Sequence, residues 1–351
     1  MLLEYSIIVF YYSAKVARYM NSTTYLEKKK EDMPQKIIFG PVPSRRLGRS
    51  LGINNIPYKH CTYACVYCQI GRTLHFVYER QEYYPVDKIV EEVVKAVEVI
   101  GEENIDYVTF VPDGEPTLDM NLGREITEIK SLISTKIAVI TNSSLLFRED
   151  VRRDLYNADT VSLKIDAISE PIFKRINRPH HLLKIEKILE GIRKFSKEFT
   201  GRILTESMFV RGVNDTETEI KKIAEFVAEI QPERAYIAVP TRPPAEKWVL
   251  PATEKQILFA YETFKAKIGK KVELLTGYEG ADFNDTAEDP VVALLAITSV
   301  HPMRLDYVSK FLTERGANPD EIIKKLLSEK KIIKTKYGNY DFILHKINNK
   351  V

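Results

Sequence analysis

Cysteine is almost absent from this sequence, with three residues among 351. All three lie within eight positions, in Cys61-Thr-Tyr-Ala-Cys65-Val-Tyr-Cys68. A disulfide framework uses an even number of cysteines spread over a small secreted fold, so that class of protein is excluded. Clustered free cysteines are typical of a reducing compartment, and we therefore expect a cytoplasmic protein.

Long apolar runs and a strong excess of charge are also missing. The apolar stretch Ser6–Tyr12 is too short to span a bilayer, and no basic region or clean cleavage site marks it as a secretory signal. We therefore expect no membrane contact. The formal net charge of +3 does not by itself indicate a nucleic-acid partner. The excess of positive charge lies in the tail, which contains eleven Lys and Arg and eight Asp and Glu from Ala287 onward.

The N-terminal segment, residues 1–35, is set apart from the rest. The charged run Lys28-Lys-Lys-Glu-Asp32 resembles a solvated connector, and a strongly patterned sequence begins after Met33. The segment is either a loosely packed extension or the result of a start codon that is really at Met20 or Met33. We favour Met33. At 351 residues, of which 44% are hydrophobic, the chain can bury one large domain and a small one.

Residues 36–276 alternate strand-like and helical patterns. A strand is predicted at Ile37–Phe39, followed by a turn-rich segment, Gly40–Arg49, with three arginines that either form a solvated loop or face an anion. A helix is predicted at Val86–Ile100, and further strands and helices follow in alternation, which implies parallel strands with helical crossovers. The further predicted strands are Asp106–Val111, Lys136–Ile140, Thr160–Ile165, Arg202–Val210, Ala235–Pro240 and Lys271–Thr276. Six or so units fall short of the eight in a closed barrel. We therefore predict an α/β fold, a partial (βα)6 TIM-like barrel.

Polar residues follow the ends of the predicted strands, at Gly114-Glu115, Asn142, Asp166, Asn214 and Thr241-Arg242. The carboxyl ends of parallel strands form the rim where α/β folds bind ligands. Asp166 and Glu206 are carboxylates on inward-facing strands, where burial without a partner is costly. They either bind a ligand or pair with Lys164 or Arg211.

The three cysteines form a ligand set that needs one further ligand to close a tetrahedral site or a four-iron cluster. A structural zinc ion would need a fourth ligand, for which His60 and His75 are nearby. A 4Fe–4S cluster held by three cysteines would instead leave one iron open to a small molecule.

The spacing Cys-x3-Cys-x2-Cys, with Tyr67 before the last cysteine, resembles the signature of the radical S-adenosylmethionine (radical SAM) superfamily. Gly114-Glu115-Pro116 resembles that family's glycine-rich motif. The resemblance runs from Phe39 to about Ile257. Over this range the chain is similar to an uncharacterised group of radical SAM proteins related to the tRNA wyosine-base synthases. It implies a barrel of the radical SAM type, in which reductive cleavage of S-adenosylmethionine (SAM) on a 4Fe–4S cluster yields a 5′-deoxyadenosyl radical.

The resemblance also implies roles for individual residues. Cys61, Cys65 and Cys68 would ligate the cluster, and Tyr67 would pack near it or near the adenine. The residues expected to bind SAM are Gly114, Glu115, Asn142, Ser144, Asp166 and Glu206. The charged loop residues Arg175, Arg178, His180 and His181 are candidates for substrate contact. A one-electron donor of the flavodoxin or ferredoxin class is the implied partner, and RNA is one candidate substrate.

Residues 277–289 resemble a polar, acidic linker, and the pattern changes in residues 290–351. Three short helices and a hairpin with a Gly338-Asn339 turn predict a winged-helix-like domain. Its lysines form either a phosphate-contacting face or the ordinary surface of a docking or dimerisation module; they are Lys324, Lys325, Lys330, Lys331, Lys334 and Lys336.

Two functions compete. One is a radical enzyme, and the other is a metal- or redox-sensing regulator with a structural cysteine site and a DNA-binding winged helix.

Overall fold

A computed structural model of the protein describes residues 36–277 and 289–346. Met33, the predicted start of translation, lies outside these residues. Most of the predicted linker, residues 277–289, lies outside them as well. Within the described part of the chain, no helix combines the length and the apolar character needed to cross a bilayer.

The barrel begins with an antiparallel hairpin of β1 (Ile38–Ser44) and β2 (Gly48–Ile53). The prediction that Gly40–Arg49 is a turn-rich segment was therefore wrong for most of its length. Edge strands tolerate proline, and β1 needs ladder bonds on one side only. The ring of Phe39 lies over Gly52, where an added Cβ would come within 2.1 Å of the ring. Only the three residues Arg45–Leu47 form the turn.

The remaining elements of the barrel are, in chain order, β3 (His60–Cys61), β4 (His75–Phe76), α1 (Val86–Ile100), β5 (Tyr107–Phe110), α2 (Leu122–Lys130), β6 (Lys136–Thr141), α3 (Glu149–Leu155), β7 (Thr160–Lys164), α4 (Glu170–Ile176), α5 (Ile185–Glu198), β8 (Arg202–Met208), α6 (Glu217–Ile230), β9 (Arg234–Ala238), α7 (Glu254–Ile268) and β10 (Val272–Leu275). The main sheet has the order β1-β2-β5-β6-β7-β8-β9-β10, and its neighbours from β2 to β10 are parallel.

Each step from one parallel strand to the next passes through at least one helix, which confirms the six predicted βα units. The helices bury their apolar stripes against the sheet; in α1, for example, Ile89, Val90 and Val93 are fully buried. The sequence pattern does not predict α4, β3 or β4. Two-residue strands and a seven-residue helix are too short to show a period.

The concave face of the sheet carries a second, smaller apolar cluster. Its members come from the first turn and from strands across the whole sheet; they are Leu47, Tyr107, Ala138, Leu204, Tyr236, Ala238 and Leu275. Near the two sheet edges, Arg45 Nη1 donates a hydrogen bond of 2.6 Å to the carbonyl of Gly277. The sheet is therefore curled into a half-barrel.

Residues 289–346, here called the C-terminal unit, contain α8 (Pro290–Val300), β11 (Met303–Arg304), α9 (Leu305–Glu314), α10 (Pro319–Ser328), β12 (Ile332–Tyr337) and β13 (Tyr340–His345). The three helices and the hairpin lie where the sequence predicts them. Strand β11, which the sequence analysis missed, pairs with β13 and makes a three-stranded antiparallel sheet. The unit has its own core, on which Val42 of β1 also packs.

Candidate functional site

The cysteine loop, residues 59–71, is held in place by backbone hydrogen bonds from three directions. The Glu115 amide donates to the carbonyl of His60 at 3.1 Å. The Val66 amide donates to the carbonyl of Ile176, at the end of α4, at 2.9 Å. The Val66 carbonyl accepts from the Glu246 amide at 3.1 Å. Because each anchor belongs to a different part of the barrel, the whole fold fixes the cysteine positions.

Each cysteine sulfur lies near a side-chain nitrogen that can donate a hydrogen bond to it. The nitrogen-to-sulfur distances are 3.6 Å for Asn142 and Cys61, 3.4 Å for Asn177 and Cys65, and 4.0 Å for Lys59 and Cys68. Lys59 is buried, and its ammonium also donates to the carbonyl of Gly71 at 2.6 Å. These donors complement negative charge on the sulfurs. The sequence analysis did not identify Lys59 or Asn177 as site residues.

A cavity of about 330 Å³ lies inside the half-barrel. All three cysteines line it, together with residues that follow the strands, among them Tyr67, Gly114, Glu115, Asn142, Pro240 and Arg242. Charged and hydroxyl side chains from the first turn and from β7 and β8 line it as well; they are Arg45, Arg46, Ser162, Lys164 and Glu206. The cavity therefore joins the cysteine loop to a charged group inside the barrel.

Gly114 and Glu115 connect the cysteine loop to the end of β6. An added Cβ on Gly114 would lie 1.9 Å from the carbonyl oxygen of His60, so only glycine fits this close approach. The buried carboxylate of Glu115 accepts hydrogen bonds from the Thr117 and Thr141 hydroxyls, both at 2.6 Å, and from the backbone amide of Asn142 at 2.7 Å. Burial raises the pKa of this carboxyl, whereas the hydrogen bonds from these donors act to lower it.

The carboxylate of Asp113, next to Gly114, turns away from the cavity. Its backbone amide donates to the side chain of Asn54 at 2.9 Å, and the Asn54 amide donates back to the carboxylate at 3.2 Å. Asp113 therefore holds the motif onto the segment after β2.

Asn142 and Ser144 approach the cysteine loop from the end of β6. The Asn142 side-chain amide donates to the hydroxyl of Thr62 at 2.8 Å, and the Ser144 hydroxyl lies 2.7 Å from the same oxygen. Asn142 lines the cavity, whereas Ser144 is fully buried behind Thr62 and is not among the lining residues. In this structure, Ser144 contacts the cysteine loop itself.

Asp166 is the centre of a buried hydrogen-bond group. Its carboxylate accepts from the Tyr67 hydroxyl, from the Asn177 amide at 2.8 Å and from the Met208 backbone amide at 2.9 Å. Burial raises the pKa of the Asp166 carboxyl, against the opposing effects of Lys164 and Tyr67. Since Asn177 also contacts Cys65, Asp166 orients a residue of the cysteine site.

Glu206 pairs with two cations. Its carboxylate contacts Lys164 and lies 2.5 Å from Arg46, which also donates to the Ser162 hydroxyl at 3.1 Å. Of the pairings considered from the sequence, the one with Lys164 is confirmed, whereas Arg211 donates to the carbonyl of Pro251 instead. Burial favours the protonated acid, yet Arg46 and Lys164 outweigh it and hold the pKa of Glu206 at about 2.

This depressed pKa predicts a pH-dependent contribution to stability. The folded-state pKa lies below the ordinary value of 4.5, so the stabilisation is complete above that value and is lost as the pH falls towards about 2. We expect Glu206→Gln to lower the free energy of unfolding by about 3 kcal/mol at pH 7, and by progressively less below pH 4. Urea denaturation at several pH values measures this.

The matched control for that experiment is Glu225→Gln. Glu225 is an exposed carboxylate of α6 that lies 3.5 Å from Lys267. Its loss should change stability by less than about 1 kcal/mol at every pH. A Glu206→Gln effect that stays constant from pH 7 to pH 3 would contradict the assignment of the ion pairs as its source.

Most of the remaining polar candidates lie outside the cavity lining. Arg178 pairs with Glu246 at 2.6 Å, and the rings of His180 and His181 lie against each other with centroids 4.3 Å apart. Neither these residues nor Arg175 line the cavity. Asn214 donates to the carbonyls of Asp166 and Met208, both at 2.8 Å. Arg242 does line the cavity, and it links Gln69 at 2.6 Å to His301 of the C-terminal unit at 2.9 Å.

The donor set at the cysteine loop suits a sulfur-ligated metal group. Burial raises the pKa of the Cys65 thiol to about 12 and that of the Cys61 thiol further still. A bound cationic metal is what converts such buried thiols to the thiolates that serve as ligands. No group of three or more His, Cys, Asp and Glu side chains in the described ranges is arranged to hold a single metal ion. The soft thiol donors that share one cavity fit an iron–sulfur cluster.

Comparisons with known proteins identify relatives over most of the chain. The model of the radical SAM superfamily matches residues 55–227. The chain is 44% identical to a UPF0026 protein of Methanocaldococcus jannaschii, over 90% of this chain and 97% of that protein. It is 30% identical to a UPF0026 protein of Helicobacter pylori, over 89% of this chain and 98% of that protein. Among solved structures, TYW1 with a lysine-pyruvate adduct bound is similar with a TM-score of 0.47, at 17% identity over 62% of this chain and 73% of that one.

Proposed function

This chain is an enzyme of the radical SAM superfamily and belongs to its UPF0026 family, and from that premise we propose that it binds a 4Fe–4S cluster and SAM to modify a macromolecular substrate. The observation that carries the proposal is the shared cavity, which Cys61, Cys65 and Cys68 line together with Gly114 and Asn142. A regulator with a structural cysteine site would need no such cavity.

The bound cluster would supply one electron, with which SAM is cleaved to methionine and a 5′-deoxyadenosyl radical. The chain's own residues would hold the partners of this reaction. Cys61, Cys65 and Cys68 would ligate three irons, and the nitrogens of Asn142, Asn177 and Lys59 would donate to the sulfurs. Gly114 and Asn142, at the cavity wall, would face SAM, and Glu115 would keep both in position.

The central experiment is anaerobic reconstitution with iron and sulfide. The protein should hold one oxygen-sensitive 4Fe–4S cluster, and added SAM should change the electron paramagnetic resonance spectrum of its reduced form. A strong reductant should then release methionine and 5′-deoxyadenosine. A colourless protein that loads one zinc equivalent and cleaves no SAM would overturn the proposal.

We also propose that the substrate is an RNA presented by the C-terminal unit, which would act as a winged-helix domain. Six lysines of α10, β12 and the turn between them are exposed. Lys331 pairs with Glu329 and Lys334 with Asp341, whereas within the described residues Lys324, Lys325, Lys330 and Lys336 make no ion pair. Strand β12 ends at Tyr337, whose hydroxyl donates to the carbonyl of Pro240 at 3.1 Å, and Pro240 lines the cavity.

The RNA proposal predicts binding that depends strongly on salt. Six phosphate contacts should cost roughly 10³-fold in affinity between 50 and 200 mM salt. We expect the triple variant Lys324→Glu, Lys330→Glu and Lys336→Glu to remove binding of total tRNA in a filter-binding assay. The control reverses three exposed lysines on the barrel, Lys187, Lys255 and Lys270, and should bind like the wild type. Equal effects of both variants would refute the lysine face, and comparing RNA nucleosides from a deletion strain would identify the modified base.

The donors to the sulfurs should tune the cluster. A hydrogen bond to a ligand sulfur stabilises the reduced, more negative cluster, so removing it should lower the reduction potential. We expect Asn177→Leu, which removes the donor to Cys65, to lower the potential by tens of millivolts in a redox titration. Asn214→Leu, which removes a buried amide that contacts no sulfur, is the control. An unchanged potential in Asn177→Leu would contradict the role of this contact.

A further inference from the structure

The outer face of the cysteine loop carries exposed apolar side chains. Leu74, Phe76 and Leu182 are 48%, 45% and 53% exposed, and we call these three residues the outer strip. The strip adjoins the cysteine loop directly. In the pairing of β3 with β4, Phe76 stands opposite Cys61, and the His180 amide donates to the Thr62 carbonyl at 2.9 Å.

The outer strip is separate from the cavity, since none of its residues lines it. Aromatic rings support it from behind. The ring of His180 lies 5.3 Å from that of Phe76 and is stacked on that of Tyr78 at 5.4 Å. Because these rings pack on one another, the surface is preformed and little side-chain freedom would be lost on binding.

The segment that contains Leu182 of the strip has an excess of positive charge. Residues 174–184 contain Lys174, Arg175, Arg178 and Lys184 and no acidic residue. Lys174 pairs with Glu170 and Arg178 with Glu246, but Arg175 and Lys184 are exposed and make no ion pair within the described residues. An apolar strip joined to a basic segment is complementary to an acidic protein surface that has an apolar centre.

We propose that the outer strip and residues 174–184 form the docking surface for an acidic, low-potential electron-carrier protein. This inference rests on the proposed function, since only a cluster at the cysteines would need an electron there. One electron leaves the carrier's reduced flavin or iron–sulfur group and enters the cluster held by Cys61, Cys65 and Cys68, with no bond made or broken. Neighbouring strands lie about 4.8 Å apart, so a carrier seated on Phe76 is one strand spacing from the backbone of Cys61.

An RNA is the less favoured occupant of this surface. A base bound on the outer strip would lie outside the cavity that the three cysteines line. The rings of Tyr78 and His180 are stacked on each other, so one face of each is already covered.

The test compares two reductants with the cluster-loaded enzyme. Reduced flavodoxin must dock to deliver its electron, whereas dithionite needs no docking surface. We expect the double variant Arg175→Glu and Lys184→Glu to weaken flavodoxin affinity at least tenfold by calorimetry. Flavodoxin-driven cluster reduction, followed by electron paramagnetic resonance, should slow by a similar factor, while dithionite-driven reduction is unchanged. The control variant, Lys255→Glu and Lys270→Glu, should match the wild type in every assay.

Each alternative outcome has a distinct signature. Equal losses with flavodoxin and dithionite, or wild-type flavodoxin affinity in the double variant, would overturn the docking surface. So would loss of tRNA binding, or loss of a dimer by sedimentation, without a change in flavodoxin affinity. If flavodoxin reduces the wild-type cluster but neither reductant yields 5′-deoxyadenosine, the proposed function fails while the docking surface stands.

Discussion

Replacing any one of Cys61, Cys65 and Cys68 by serine is expected to abolish both cluster loading and SAM cleavage. Each thiolate would hold a separate iron, and the described part of the site offers no further cysteine to take its place. Substitution of residues that only support metal ligands costs about 10- to 100-fold, so loss of a ligand should lower 5′-deoxyadenosine formation by more than about 100-fold. Iron and sulfide analysis after anaerobic reconstitution, with chromatography of the nucleoside product, measures both effects.

A control must show that the fold survives. Ser207→Ala removes a small buried hydroxyl from β8 without touching the cavity lining, so it should keep the iron content and activity of the wild type. The apo forms of the cysteine variants should melt within a few degrees of the apo wild type, because serine nearly preserves the volume of cysteine. Full iron loading in two of the three variants would contradict a three-cysteine cluster.

The sequence predicts the order of the elements well where the pattern is long. Helix α1 has the predicted bounds, since its apolar residues recur over four turns. The strands from Tyr107–Phe110 to Val272–Leu275 lie within a few residues of their predictions, because buried parallel strands are continuous apolar runs. The hairpin of the C-terminal unit was predicted from its Gly338-Asn339 turn.

Contacts between distant parts of the chain could not be predicted in this way. Asn177 follows α4 and lies 112 positions from Cys65 in sequence, yet its amide lies 3.4 Å from the cysteine sulfur. Its place in Arg175-Ile-Asn-Arg-Pro179, which the resemblance covers, was the available signal. Arg46 pairs with Glu206 only because the first turn enters the half-barrel, and no local pattern contains that information.

Asp166 and Ser144 show a related limit. Their positions after strands predicted the correct edge of the sheet but not the direction of the side chains. Asp166 accepts three hydrogen bonds from protein donors, and Ser144 faces Thr62. A position at a strand end therefore predicts nearness to the site, whereas the packing of the neighbouring loop decides whether a residue faces the cavity or supports it.

Gly114→Ala is expected to separate the two loops on which the proposed reaction depends. The added methyl group would lie 1.9 Å from the carbonyl oxygen of His60 and 2.9 Å from its carbonyl carbon. Backbone atoms cannot rotate away as a side chain can, so the cysteine loop and the Gly114-Glu115 segment must move apart. That movement would break the hydrogen bond from the Glu115 amide to His60 and carry the cysteines away from Asn142.

The expected result is a loss of function larger than the loss of stability. Overpacking of this kind typically costs 1–3 kcal/mol, which is a fall of roughly 1–4 °C in the melting temperature of a chain this large. SAM affinity, measured by calorimetry on the reconstituted protein, should fall at least tenfold, and iron content should fall with it. Gly277→Ala is the matched control, because an added Cβ there meets no atom within 4 Å. If Gly114→Ala keeps wild-type iron content and SAM affinity, the close approach of the two loops plays no part in cofactor binding, and the glycine is required only for the turn.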